Sequence, residues 1–270
     1  MTAYERLKMT RRSGRPTGKA FAAELFRDRV ELCGDRRYGE DPAVVAGIGM
    51  LNGRAVTYIA TNKGVDIQER MRNHFGSPLP EGYRKALRLM KQAEKFRRPV
   101  ICLVDTLGAY CGVEAEERGQ GEAIAENILE MMGLRTPIIS IVIGEGGSGG
   151  ALALAAADRV YMLENAVYSV ISPEGCASIL WKDAAHVAEA AQCLRITAED
   201  MLEFHVADGI FTENFSDFSQ MCAVIRERLS SELETLCALP TEELREQRYR
   251  RFRRIGVYEE NGCVMRFPNV

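Results

Sequence analysis

The chain turns on residues 138–158: Ile138-Ile139-Ser140-Ile141-Val142-Ile143, then Gly144-Glu145-Gly146-Gly147-Ser148-Gly149-Gly150, then Ala151-Leu152-Ala153-Leu154-Ala155-Ala156-Ala157-Asp158. A β-branched apolar run leads into a glycine cluster, and a small-residue helical pattern leads out. The order predicts strand, tight turn, helix. Glycine lets backbone adopt positive φ and approach a ligand closely. The start of a helix presents N–H groups with no intrahelical partner. Such donors suit an oxygen that becomes negative during a reaction. The segment therefore predicts an oxyanion hole built from backbone, with Gly149 and Gly150 as donors and Gly146, Gly147 and Ser148 shaping the turn.

Working outward, strand and helix signals alternate. Lys19 to Leu32 has helical spacing. Val44–Met50 and Ala55–Thr61 are strand-like runs around Asn52-Gly53, a strong hairpin signal. Gly82–Phe96 reads as a basic amphipathic helix ended near Pro99. Val100–Val104 is a buried strand, followed by a glycine-broken loop from Thr106 to Gly112. Glu116–Met132 is the next helix. Strands are expected at Arg159–Leu163, Val167–Ile171 and Val206–Phe211, and helices at Ala184–Cys193 and Ala198–Phe204. From about residue 217 the chain is helical and charged, with a break at Pro240. Repeated strand–helix units argue an α/β fold with a mainly parallel core. Residues 1–19 are polar and basic and are expected to form a flexible arm. Residues 20–270 then form a single domain with a C-terminal helical region.

Two core strands end in glycine loops: Asp105-Thr106-Leu107-Gly108-Ala109-Tyr110-Cys111-Gly112 and the 144–150 segment. In open α/β sheets ligands gather at the carboxyl ends of strands. Two such loops side by side supply donors from two directions, which makes Gly108 and Ala109 further candidates. Other chemistries fit less well. Ala151 after Gly150 breaks the phosphate-binding Gly-Lys-Ser/Thr pattern. The Gly144-x-Gly146-x-x-Gly149 spacing lacks the acidic partner of a dinucleotide site. Gly146-Gly147-Ser148-Gly149-Gly150 fits a serine-nucleophile turn, but His74, His186 and His205, the only histidines, have no distinctive setting.

Composition bounds the rest. With 270 residues, 46% apolar and 27% charged, the chain can build a soluble core. A net charge of −3 gives no whole-protein case for nucleic acid. No apolar run is long enough to span a membrane, and the basic N-terminus lacks the apolar stretch of a signal peptide. The eight cysteines stand singly without C-x-x-C, against a zinc site. They are expected to be buried reduced thiols of a cytoplasmic protein. Arg245, Arg248, Arg250, Arg251, Arg253 and Arg254 crowd the last helix and read either as a solvated face or as a docking contact.

Several runs carry a resemblance to a known family. Pro80-Glu81-Gly82-Tyr83-Arg84-Lys85-Ala86-Leu87-Arg88-Leu89-Met90, Asp105-Thr106-x-Gly108-Ala109-Tyr110-x-Gly112, Ala115–Gln120, Ile143–Ala153 and Tyr168–Lys182 closely resemble the alpha subunits of bacterial acetyl-CoA carboxylase carboxyltransferase. The resemblance runs from about residue 20 to about 210, and Arg245-Gln247-Arg248-Tyr249 echoes the family's end. It implies the crotonase-like fold, stacked ββα units in a spiral. It implies transfer of a carboxyl group from carboxybiotin to acetyl-CoA, giving malonyl-CoA, the first committed step of fatty acid synthesis. It further implies biotin on a separate biotin carboxyl carrier protein, no metal on this chain, and an α2β2 assembly with a zinc-ribbon beta subunit that binds the acyl-CoA. Biotin carboxylase completes the larger ATP-dependent complex. Gly149, Gly150, Gly108 and Ala109 become oxyanion donors, with Gly146, Gly147, Ser148 and Tyr110 against carboxybiotin. The chain departs from the family pattern at Leu107 and Cys111, where prolines are usual, at Val65 after Lys63-Gly64, and at Thr212–Asp217. These departures leave two alternatives: a paralogue acting on another acyl-CoA, and a non-catalytic assembly partner.

Overall fold

The computed structural model describes residues 1–260 and 263–266, and side chains up to residue 256 except that of Ala184. In chain order the helices are α1 (Ala3–Thr10), α2 (Gly18–Leu25), α3 (Ile67–Arg72), α4 (Pro80–Lys95), α5 (Val113–Glu117), α6 (Gln120–Gly133), α7 (Ser148–Leu152), α8 (Pro173–Leu180), α9 (Val187–Cys193), α10 (Ala198–Glu203), α11 (Phe218–Ala238) and α12 (Thr241–Arg253). The strands are β1 (Arg27–Glu31), β2 (Val44–Leu51), β3 (Arg54–Thr61), β4 (Val100–Thr106), β5 (Ile138–Gly147), β6 (Arg159–Leu163), β7 (Val167–Ser169), β8 (Gly209–Phe211), β9 (Val257–Glu260) and β10 (Cys263–Arg266). One sheet runs β1-β2-β3-β4-β5-β6-β8, and β7 adds to β5. In this sheet β1–β2 and β2–β3 are antiparallel and the pairings from β3 to β8 are parallel, while β9 and β10 pair antiparallel apart from it. All of β4 is buried, as is β5 up to Gly146. That double burial accounts for their unbroken apolar runs.

Asn52 (φ 46) and Gly53 (φ 82) form the expected two-residue turn between β2 and β3. Two of the expected helices take a different form. The helix expected over Lys19–Leu32 stops at Leu25, and Arg27–Glu31 pairs with β2 instead. Gly47 and Gly49 make this possible: a Cβ on Gly47 would overlap the Val30 carbonyl, and one on Gly49 would lie 2.9 Å from Phe26 Cβ. The helix expected over Glu116–Met132 is two helices, because Gly119 sits at φ 82. Left-handed backbone there ends one helix and starts the next.

The first residues are not a flexible arm. Thr2 and Glu5 form a capping box that starts α1. Ala3 and Leu7 are buried with Val167, Ala191 and Ile196. Arg11 and Arg15 then reach carboxylates near the carboxyl end of β5 and beyond β8. The thiols are also less buried than expected: Cys33, Cys111, Cys193 and Cys237 are exposed, while Cys102, Cys176 and Cys222 are buried. Among the described residues, no helix is long and apolar enough to cross a membrane.

At the start of α4, Asp41 is wholly buried and accepts N–H bonds from Ala43 and Leu79 at 2.9 and 2.8 Å. Burial pushes its carboxyl up to about 6, against the pull of those bonds and of Lys85. The folded state thus holds this proton more tightly than the unfolded chain does. Asp41's contribution to stability is present at low pH and is lost as pH rises from about 4 to about 6. Relative to Asp41→Asn, the parent should lose about 2–3 kcal/mol across that window. Urea unfolding of both proteins between pH 4 and 7 measures this; parallel curves would refute it.

Candidate active site

The two glycine loops leave neighbouring parallel strands. Register Val104↔Val142 continues, after an irregularity, as Thr106↔Gly146. The loops then touch. A Cβ on Gly147 would overlap the Leu107 carbonyl, and one on Gly150 would lie 2.5 Å from Ala109 N and 2.7 Å from the Tyr83 hydroxyl. The structure thus brings Gly108 and Ala109 beside Gly147 and Gly150, as the side-by-side reading expected. Ser148 (φ 52) and Gly108 (φ 144) carry the positive φ values of the two turns. The sharp change of direction into α7 thus falls on an exposed serine, and Gly149 needs no left-handed backbone.

Donor status separates the candidates. The Gly108 N–H is engaged by Thr106 Oγ1 at 3.1 Å, and that of Tyr110 by the Pro78 carbonyl at 3.0 Å. Among the described residues, the N–H groups of Ala109, Gly149 and Gly150 have no protein acceptor. The last two lie in the first turn of α7, before any intrahelical bond can form. Gly108, expected as a donor, thus has its N–H engaged within its own loop. The Tyr110 ring lies against that of His74, with centroids 4.6 Å apart and planes tilted by 51°.

Two cavities flank this junction. One, of about 370 Å³, is bounded by Ser148, Gly149, Tyr168, Val170, Met201 and Phe252 and is mostly apolar. Burial pushes the Tyr168 phenol up to about 12 and keeps it neutral. The other, of about 610 Å³, is bounded by Arg11, Arg12, Lys63, Arg70, Phe75 and Leu107, among others. Its floor holds charged groups that the sequence reading passed over: Lys63, Asp105 and Glu145. Burial works against the Lys63 charge, but Asp105 and Glu145 outweigh it and raise the ammonium pKa. The available signal was an acid at the end of each apolar strand. No histidine borders the cavity beside Ser148, and among the described residues none hydrogen-bonds that serine. His186 instead pairs with Glu189 and stacks on Trp181.

The C-terminal arginines are mostly occupied. Arg245 pairs with Glu242, Arg250 with Glu246 and Arg251 with Asp208, and Arg248 is fully buried against Asp158. A shared basic docking face is therefore not built from these six; only Arg253 and Arg254 stand exposed without an ion pair among the described residues.

Residues 1–256 match the family model described as acetyl co-enzyme A carboxylase carboxyltransferase-like. The chain belongs to this family. It is 54% identical over 257 residues to the acetyl-coenzyme A carboxylase carboxyl transferase subunit alpha of Ruminiclostridium cellulolyticum, covering 95% of this chain and 99% of that one. It is 52% identical over 263 residues to the subunits beta/alpha protein of Clostridium tetani, covering 96% of this chain but 46% of that longer one. Among solved structures, transcarboxylase 12S superposes with a TM-score of 0.69 at 21% identity, covering 84% of this chain and 42% of that one. The Pseudomonas malonate decarboxylase MdcD-MdcE hetero-dimer gives a TM-score of 0.59 at 16% identity, covering 78% of this chain and 86% of that one. These likenesses establish the crotonase-like carboxyltransferase fold for this member of the family.

Proposed function

We propose that the chain is the alpha subunit of an acetyl-CoA carboxylase carboxyltransferase, moving a carboxyl group from carboxybiotin to acetyl-CoA to give malonyl-CoA. The observation that carries this reading is the set of three unpaired amides, Ala109, Gly149 and Gly150, on two touching turns in a member of that family. Biotin, delivered by a separate carrier protein, supplies the carboxyl group as a carbamate. When that group departs, negative charge develops on the ureido oxygen. The amides of Gly149 and Gly150 bind that oxygen, with Ala109 from the facing turn, and need not reorganise as the charge grows. The apolar cavity beside Ser148 and Gly149 suits a bicyclic ring with an aliphatic arm. No side-chain acid or base is required of this chain, because the departing ring can itself take the proton from the acceptor's α-carbon.

The acceptor thioester belongs on a beta subunit that covers this face. Leu107, Val113 and Val170, on segments after β4 and β7, are exposed, and apolar groups gathered around a site mark a contact surface. A complex of two alpha and two beta subunits, served by the biotin carrier and biotin carboxylase, is the assembly we infer. The purified chain should show no exchange of carboxyl between malonyl-CoA and a biotin derivative, and turnover should appear on adding the beta subunit. Turnover by the chain alone, or none with its cognate partner, would overturn the reading.

A further inference from the structure

The two turns are tied together by a charged cluster that the proposed reaction leaves unused. Lys63 follows the end of β3, Asp105 lies one residue before the end of β4, and Glu145 lies two before the end of β5. Lys63 Nζ stands 2.7 Å from Asp105 Oδ1 and 3.1 Å from Glu145 Oε1. Asp105 Oδ1 also accepts the Glu145 N–H at 2.8 Å, and the Asp105 N–H donates to Thr61 Oγ1 at 2.5 Å. Gly144 is glycine because a Cβ there would overlap the Asp105 carboxylate. Arg11 extends the chain of charges, donating to Glu145 Oε2 at 2.9 Å and to Glu174 Oε1 at 2.6 Å. A run of three left-handed residues, His74 (φ 49), Phe75 (φ 56) and Gly76 (φ 82), packs Gly76 against Lys63 and the Asp105 carbonyl.

Its location gives this cluster leverage. Asp105 immediately precedes Thr106, whose hydroxyl holds Gly108. Glu145 precedes the Gly146-Gly147-Ser148 bend by one residue. The β4–β5 ladder is irregular between Val104 and Thr106, so backbone pairing alone does not fix one turn against the other. The Lys63, Asp105 and Glu145 side chains are 17%, 7% and 6% exposed. Buried charges hold one geometry, because leaving a partner strands a charge in low dielectric.

We propose that Lys63, by bridging Asp105 and Glu145, is a positioning residue for carboxyl transfer: it sets the spacing of the two glycine turns and so aims the Ala109 amide against those of Gly149 and Gly150. The proposal rests on the reading of these amides as oxyanion donors. A displacement of about 1 Å at a reacting centre can cost roughly 100-fold in rate.

The test uses the alpha–beta complex with Lys63→Met, Lys63→Arg and Glu145→Gln. In Lys63→Met, kcat should fall roughly 100-fold, while KM for malonyl-CoA and for the biotin derivative stays within about twofold, since no substrate contact is removed. Lys63→Arg keeps a cation that can bridge both acids and should recover most of the rate. Amide hydrogen exchange on the same preparations reads the bridge without turnover: segments 106–112 and 144–150 should exchange faster together, and 218–238 should not. Unchanged exchange in the turns overturns the bridge, whatever the activity. Faster exchange with unchanged kcat overturns the positioning role. A raised KM at unchanged kcat makes Lys63 a ligand contact and also overturns it. If Lys63→Met does not fold, Glu145→Gln carries the same readouts. A parent complex that transfers no carboxyl group refutes the functional reading and the catalytic role with it, while exchange still judges the bridge on its own.

Discussion

Arg248→Met should destabilise the chain by about 3–5 kcal/mol, the cost of breaking a buried ion pair by removing one partner. Arg248 Nε and Nη2 meet the two Asp158 oxygens, each at 2.8 Å. Nη1 donates to the carbonyls of Met131 at 2.6 Å and Leu134 at 2.8 Å, and Nη2 also to Thr136 at 3.0 Å. Every N–H of the guanidinium is thereby used, with the side chain 0% exposed and that of Asp158 2%. Asp158 in turn accepts the Ile138 N–H at 2.7 Å. One side chain thus joins α12 to the end of α6 and to the strand that leads into the glycine turn. Methionine fills the space but strands a carboxylate and three carbonyls. Lysine keeps the charge but cannot form the planar fork, so Arg248→Lys should recover only part of the loss. In a domain of this size the Met variant should melt roughly 6–20 °C below the parent. A shift under 2 °C would show that the cluster contributes little.

Gly150→Ala should lower carboxyl transfer by roughly 100- to 1000-fold, the usual cost of losing one oxyanion donor. The new methyl group would stand 2.5 Å from Ala109 N and 2.7 Å from the Tyr83 hydroxyl. Neither gives way easily. Ala109 is backbone, and the Tyr83 ring is fully buried. The two turns must part, which disperses the three amides. Gly149→Ala is the contrasting variant. Its methyl group would meet only Ile124 Cγ2, at 3.5 Å, an ordinary contact, so the rate should fall less than tenfold. Ser148→Ala should be milder still, because the hydroxyl is given no bond-making role. Rates of the three variants in the assembled complex, alongside their melting temperatures, decide the matter. Equal losses at Gly149 and Gly150 would refute the assignment of Gly150 as the tight junction. Loss of activity in Ser148→Ala, with labelling by a serine-reactive phosphonate, would favour a hydrolase.

The core strands and the glycine turn were legible in the sequence because their signals are local. A short β-branched run bounded by turn residues favours a buried strand, and Asn52-Gly53 between two such runs favours the positive φ values of a two-residue hairpin turn. The unpaired amides of Gly149 and Gly150, proposed here as donors, follow from strand, turn and helix start alone. Helix α1 also had a local signal, the Thr2 to Glu5 capping box, which the basic composition of the segment masked. Edge strand β1 had none. Every residue of Arg27–Glu31 is exposed, and the segment is a strand because Gly47 and Gly49 open a place for it.

What the sequence by itself determined is the order of the core strands β2 to β8, their mainly parallel character and the glycine turn, since each depends on φ/ψ preferences and apolar period within a dozen residues. Only the tertiary structure decided which amides are unpaired, that Gly150 rather than Gly149 is the tight contact, and that Arg248 is buried rather than part of a docking face. It also decided that Lys63, Asp105 and Glu145 meet. The charged contacts join groups 40 to 117 residues apart in the chain. A charged side chain carries no local mark of its partner: whether it is solvated or buried is settled by the Coulomb and desolvation terms at its final position, and that position exists only once the sheet has assembled.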